Sequence, residues 1–306
     1  MEPHAVPGRS RRRPLRRQWQ TLALATALAL AALGYGYFGP SATLTYRSTA
    51  EGPLQLYVFG DNHAGTRQPA LVLFHGGGWT HGSPFWLAPL GWLLSRDERR
   101  VILPEYRLAA SHDTDALAAL EDARAALRWV RRHAAQLGLD PERILAGGAS
   151  AGGQLAAAAA MAPGGVPVRG LLLMAPASDT SEQALERYPR LARLFRGQGR
   201  EVSPRHLVSA DAPPTLVLHG SADSIIPLAA SEAFCAAMSR AGGSCRTVRR
   251  EGGSHRFFKL PWHWPWVLDR VGPFLRRLEG PSVATTTPAT DELRWTGPRT
   301  HPGERH

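Results

Sequence analysis

Ser150 lies in the run Gly148-Ala149-Ser150-Ala151-Gly152, directly after the apolar segment 143–147 and at the head of an alanine-rich stretch. A nucleophilic serine on a sharp strand-to-helix turn needs small neighbours, because the backbone there is strained and the hydroxyl must stand clear of the sheet. About 75 residues upstream, His75-Gly76-Gly77-Gly78-Trp79 closes another apolar run. Glycines let the backbone come close to a ligand, so the N–H groups of these three, with that of Ala151, can converge on a developing oxyanion. Downstream, His219-Gly220-Ser221-Ala222-Asp223 and Gly252-Gly253-Ser254-His255 each follow a predicted strand. Ser150, Asp223 and His255 thus supply a nucleophile, an acid and a base in that chain order, a set suited to acyl transfer. Taken singly, each motif has a plainer reading: a helix-capping serine, a glycine turn, an Asx-turn aspartate, a loop histidine. Asp211 and Asp269 compete for the acid's place, but Asp211 precedes its strand and Asp269 falls inside the last helical stretch.

Such residues must be held at the ends of strands, and the rest of the chain supplies strands and helices in alternation. Runs rich in Leu, Val and Ile occur at 71–75, 101–106, 143–147, 170–174, 215–219 and 245–249. Near-continuous apolar runs suit strands buried on both faces, hence a mostly parallel sheet. Helical patterns lie between them at about 114–136, 151–161, 227–241 and 265–278; in the first, Leu117, Leu120, Leu127, Val130 and Ala134 recur at three or four. The alternation predicts βαβ units. Segments 43–47 and 54–59, separated by Glu51-Gly52-Pro53, predict an antiparallel leading hairpin. The stretch 176–210 breaks the pattern, with a basic helix-like segment at 182–196, and is the natural place for a short cap over the strand ends. Arg187, Arg190, Arg193 and Arg196 recur within it and read as a solvated face.

Composition narrows the functional classes. With 43% hydrophobic and 20% charged residues in 306, the chain is neither wholly disordered nor a coiled coil. Of the net charge of +11, +5 lies in residues 1–18, which hold six Arg against one Glu. The body shows no long basic run with interleaved aromatics, so nucleic acid is not an expected partner. Twelve histidines show no metal-ligand spacing, and two cysteines exclude a four-thiolate site, so neither metal nor cofactor is expected. Trp262-His263-Trp264-Pro265-Trp266 reads as packing against the sheet ahead of the last helix.

HGGGW, the run Glu105-Tyr106-Arg107-Leu108-Ala109, the helix motif DARAALRWV, LDPERI, GGASAGG, HGSAD and the closing GGSH together resemble the α/β-hydrolase esterases related to the bacterial hormone-sensitive-lipase type and to feruloyl-esterase-like enzymes. The resemblance covers about residues 50–278. It implies an α/β fold of the α/β-hydrolase type and carboxylic-ester hydrolysis of a small-molecule substrate without a cofactor. Ser150 would then be nucleophile, His255 base and Asp223 its partner, with Gly76, Gly77 and Ala151 around the oxyanion. The chain departs from that pattern at Glu105, where relatives usually have Asp, and after Leu108, where a proline-rich stretch is missing. An amidase, arylformamidase-like or peptidase activity on the same triad is the alternative within enzymes. A noncatalytic binding protein on this fold is the alternative outside them, and loss of Ser150 or His255 would mark it. A cap of this size favours acyl chains of roughly two to six carbons.

The domain plan expected is a basic leader (1–18), a transmembrane anchor or signal-peptide apolar core (19–38), a hydrolase domain (40–279) and a disordered tail (280–306). A helix over 19–38 would span roughly 30 Å, the thickness of a bilayer's hydrocarbon core, while the most apolar part, 22–33, has the length of a signal core. The anchor is the favoured reading. Clustered Arg ahead of an apolar segment stays cytoplasmic, which places the body outside the cytoplasm, as an anchored or exported domain. Cys235 and Cys245 flank a Gly242-Gly243 turn at similar heights. They either form a bridge or pack as two small apolar residues, and the usual 10 Å between helix and sheet layers favours the second.

Overall fold

The β-strands alternate their side chains between two separate cores, which is why they read as unbroken apolar runs. In the computed structural model, which describes residues 39–63, 66–280 and 283–284, the third strand, β3 (Thr66–Phe74), directs Ala70, Val72 and Phe74 to one core and Leu71 and Leu73 to the other. The same division recurs in β4 (Arg100–Pro104), β5 (Leu139–Ala149), β6 (Leu171–Met174) and β7 (Thr215–Gly220). Period-two geometry with both faces covered leaves no room for a polar face.

Eight strands run in the order β1-β2-β4-β3-β5-β6-β7-β8, where β1 is Ala42–Thr49, β2 is Gly52–Phe59 and β8 is Cys245–Arg250. The pairs β1/β2 and β2/β4 are antiparallel, and every pair from β4 to β8 is parallel. The leading hairpin and the parallel sheet expected from the sequence are both present. Helices α1 (Ala88–Leu94) and α7 (Trp264–Glu279) bury residues in one core; α3 (Ala116–Arg132), α4 (Ala151–Met161) and α6 (Leu228–Arg240) bury theirs in the other. Between β4 and α3 lies the single turn α2 (Ala109–His112).

Two buried carboxylates, Asp122 and Glu279, tie these layers together through arginines. Asp122 on α3, with no exposed side-chain surface, accepts from Arg47 of β1 at 2.6 Å and from the Arg107 Nε at 2.9 Å. Arg99, just before β4, forms a bidentate pair with Glu279 at the end of α7, at 2.6 and 3.0 Å. Removing Arg99 would leave Glu279 as an uncompensated buried charge, costing about 3–5 kcal/mol.

Several details differ from the sequence reading. The cap segment holds the short α5 (Pro189–Arg193) and a 3-10 turn at Pro204–His206, not a helix from 182. Pro189 fixes its first turn and pushes Tyr188 out of the helical region, to φ −127° and ψ 61°. Cys235 and Cys245 are bridged, with Cα atoms 5.0 Å apart. The layers converge here because Gly243 N–H donates back to the Met238 carbonyl at 2.8 Å, folding the end of α6 onto the edge strand β8. Closing so short a loop contributes on the order of 2–3 kcal/mol in the chain-entropy account. Val283–Ala284, placed by the sequence in a disordered tail, form β9 and pair antiparallel with Thr66 and Arg67. Trp264 and Trp266 pack on the core beneath α7, whereas Trp262 is 70% exposed. The four cap arginines are all exposed. The leader and the apolar stretch 19–38 lie outside the described residues, as do 285–306. Among the described residues no helix is long and apolar enough to cross a membrane.

Candidate active site

The turn between β5 and α4 is pinned from both sides. Ser150 N–H donates to the Met174 carbonyl at the end of β6, at 2.9 Å, and the Ser150 carbonyl accepts from Gly153, Gln154 and Ala177. These bonds hold Ser150 at φ 55° and ψ −121°. A residue with a side chain pays about 1–3 kcal/mol for such a backbone, which persists only where the surroundings impose it. Glycine at 152 is a steric necessity: a Cβ there would lie 2.1 Å from the Phe74 carbonyl oxygen of β3.

The loops after β7 and β8 are hydrogen-bonded to each other before either reaches Ser150. Ser221 N–H donates to the Arg250 carbonyl, Ala222 N–H to that of Gly253, and Gly252 N–H to the Ser221 hydroxyl. This brings His255 Nδ1 to 2.7 Å from Asp223 Oδ2 and His255 Nε2 to 3.0 Å from Ser150 Oγ. A carboxylate can only accept, so Nδ1 carries the proton and Nε2 is left to accept from the serine hydroxyl. The structure therefore joins Ser150, His255 and Asp223 in one chain of hydrogen bonds. The rival acids stand elsewhere: Asp211 is exposed, and Asp269 pairs with its neighbour Arg270 at the surface.

Burial of Asp223 would by itself raise its carboxyl. Hydrogen bonds from His219, His255 and the N–H groups of Ile226 and Ile225 outweigh that and hold it well below the usual carboxylate range. His219 is a residue the sequence reading passed over. Its Nε2 meets Asp223 Oδ2 at 3.0 Å and the Ile226 carbonyl at 2.9 Å, both acceptors, so Nε2 carries the hydrogen and Nδ1 accepts from Ser231 Oγ at 2.7 Å. A histidine at the end of β7, four residues before the acid, was the available signal.

The glycine loop after β3 covers the serine. Gly76, Gly77 and Ala151 donate no backbone hydrogen bond among the described residues, so their N–H groups remain available to a ligand. Gly77 sits at φ 132°, and a Cβ there would overlap the His81 carbonyl. Trp79 fixes the far end of the loop through Nε1–H to Gln154 Oε1 at 3.0 Å; Gln154 in turn donates to the Val202 carbonyl of the cap at 2.9 Å. Gln154, a lone amide in an alanine-rich helix, was also missed. Glu105, the departure from the family pattern, accepts from Tyr57 Oη at 2.8 Å and Gln55 N–H at 3.0 Å, which ties it to β2.

His75 anchors the near end. It stacks on Tyr106 with ring centroids 4.3 Å apart, its Nδ1–H donates to the Gly76 carbonyl at 2.7 Å, and the His75 carbonyl accepts from Tyr106 Oη at 2.8 Å. Burial pushes its imidazole down to about 4, so it stays neutral in its site. Above these loops lies a cavity of about 730 Å³, walled by Trp86, Leu185, Tyr188, Leu191, Phe258 and Lys259, with Ser150 and His255 in its lining. Among the described residues no cluster of side chains could hold a metal ion.

The chain is similar in sequence and fold to known proteins. The family model described as alpha/beta hydrolase fold matches residues 71–259. Esterase LipQ of Mycobacterium tuberculosis is 29% identical over 240 residues, covering 69% of this chain and 55% of its own. Carboxylesterase NlhH of the same organism is 36% identical over 141 residues, covering 44% and 42%. The chain thus spans about half the length of these curated relatives. Among solved structures, the propionate-bound esterase Est2 of Thermogutta terrifontis superposes with a TM-score of 0.73 at 31% identity, covering 80% of this chain and 97% of that one. Its butyrate-bound form superposes equally, at 30% identity over 79% and 95%.

The burial of His75 has a measurable consequence. Its folded-state value, about 4, lies below the ordinary 6.5, so the unfolded chain binds more protons between those limits. Stability from a neutral His75 is fully present above pH 6.5 and is lost as pH falls towards about 4. The wild type's advantage in denaturation midpoint over His75→Asn should therefore shrink steadily from pH 7 to pH 4.5. A constant difference would contradict the assignment. With the family match covering more than half of its length, this chain belongs to the α/β-hydrolase fold family.

Proposed function

We propose that this protein is a serine carboxylesterase acting on small esters, the reading carried by the unbroken hydrogen-bond chain from Asp223 through His255 to Ser150 at the floor of an apolar cavity. Ser150 Oγ attacks the ester carbonyl while His255 Nε2 takes its proton, and Asp223 stabilises the resulting imidazolium. The carbonyl oxygen, now anionic, accepts from the N–H groups of Gly76, Gly77 and Ala151. His255 returns the proton to the departing alcohol. Water then attacks the acyl-enzyme with His255 again as base, releasing the acid and restoring the Ser150 hydroxyl.

The naming of the relatives as esterases and carboxylesterases supports this reading. The short-chain acids bound to the Thermogutta esterase support a preference for acyl groups of about two to six carbons. Ser150→Ala should lower kcat/KM for a p-nitrophenyl ester by about 10³-fold or more with the melting temperature preserved. Wild-type protein should favour butyrate over dodecanoate esters. Activity of the alanine variant within tenfold of wild type would overturn the nucleophile; preference for the long chain would overturn the acyl assignment.

We also propose that the domain works outside the cytoplasm, held by the apolar segment 19–38. The arginine-rich leader ahead of that segment supports this orientation, as does the Cys235–Cys245 bridge, since such bonds persist mainly in oxidising compartments. Protein alkylated before lysis of its native cells should carry no modified cysteine. Two alkylated thiols would contradict the assigned compartment.

A further inference from the structure

Lys259 is the single lysine among the 36 Lys and Arg residues of the chain, and it stands in the lining of the cavity that holds Ser150 and His255. It ends the short turn Phe257–Lys259, which begins two residues after His255, so the loop that supplies the base also supplies this cation. The ammonium lies over the Trp86 indole, 4.0 Å from the ring centroid. An indole face attracts a cation but offers neither a countercharge nor the in-plane acceptors that three N–H donors require.

No ion pair to Lys259 exists among the described residues. The carboxylate in the cavity wall is already engaged: Asp179 accepts from Ser181 Oγ at 2.7 Å and from the Arg205 guanidinium at 3.1 Å. Arg256, also in the lining, adds positive charge at the mouth. Burial lowers the Lys259 amine to about 8, as expected for a cation partly withdrawn from water without a countercharge. A largely apolar cavity thus carries one half-buried cation whose desolvation is offset by an aromatic ring alone. A ligand carboxylate would supply the missing partner through a charge-assisted hydrogen bond.

We propose that Lys259 selects ester substrates bearing a carboxylate, binding that group while Ser150 attacks the ester carbonyl. The inference rests on the ester-hydrolase reading above and specifies its substrate class. The carboxylate can belong to the acyl part, as in a dicarboxylic acid monoester, or to the alcohol part. Two substrate pairs distinguish these: p-nitrophenyl hydrogen glutarate against p-nitrophenyl pentanoate, and 4-carboxyphenyl butyrate against phenyl butyrate. The quantity read is the anionic-to-neutral ratio of kcat/KM, in wild type, Lys259→Met and Lys259→Arg, with the melting temperature of each.

In at least one pair the ratio should fall about tenfold or more in Lys259→Met, the size expected for one charge-assisted hydrogen bond. The loss should appear mainly in KM, and Lys259→Arg, which keeps the charge, should restore most of it. Ratios that stay within about twofold in both pairs, or a neutral partner that declines in step with the anionic one, would overturn the proposal. Failure of the wild type to turn over either neutral ester would instead remove the hydrolase reading beneath it.

Discussion

Ser150 is held in a backbone conformation that it would not adopt alone, by hydrogen bonds from its own peptide groups to the end of β6 and the start of the cap. Those partners stay in place only because the parallel sheet sets β5 and β6 in a fixed register, Ala149 beside Met174. The strain is therefore offset by the fold as a whole rather than locally. It also turns the serine hydroxyl away from the sheet and towards the cavity, where His255 receives it.

A second constraint concerns charge. A carboxylate with no exposed side-chain surface is costly unless donors surround it, and Asp223 has four: two ring N–H groups and two backbone N–H groups. Because these donors come from the loop that carries Asp223 itself, from the end of β7 and from the loop after β8, the acid is fixed before substrate arrives. Such preorganisation is what allows one carboxylate to hold the base in a single tautomer. The same logic applied to Lys259 gives the opposite result: this cation in the wall of the active-site cavity has an aromatic ring but, among the described residues, no ion-pair partner.

Much of this arrangement was legible in the sequence because strand ends are marked by abrupt changes of composition. The runs ending in His75, Gly147 and His219 pass directly from apolar residues to glycine-rich turns, and both faces of each strand are buried, so periodicity and position agreed. Long-range polar contacts were not legible. Gln154 joins Trp79 to Val202, 75 residues one way and 48 the other, and nothing in an alanine-rich helix discloses where an amide points. His219 could be placed on its strand but its partner could not, since the bond to Asp223 depends on how the turn after β7 closes. The cysteine bridge was misjudged because average layer spacing does not hold at the tight turn where α6 meets an edge strand. The helix expected over 182–196 is reduced to Pro189–Arg193, preceded by turns; Pro189 fixes its start and keeps Tyr188 outside it.

Ser150 is the hydroxyl that its neighbours make nucleophilic. Phosphonylation reports this directly: a fluorophosphonate probe reacts with an activated serine and leaves ordinary hydroxyls untouched. Peptide mass mapping of the labelled, folded protein should find about one probe per chain, on the peptide containing Ser150, with labelling lost in His255→Ala. A folded protein that takes up no probe, or carries it on another residue, would contradict the account.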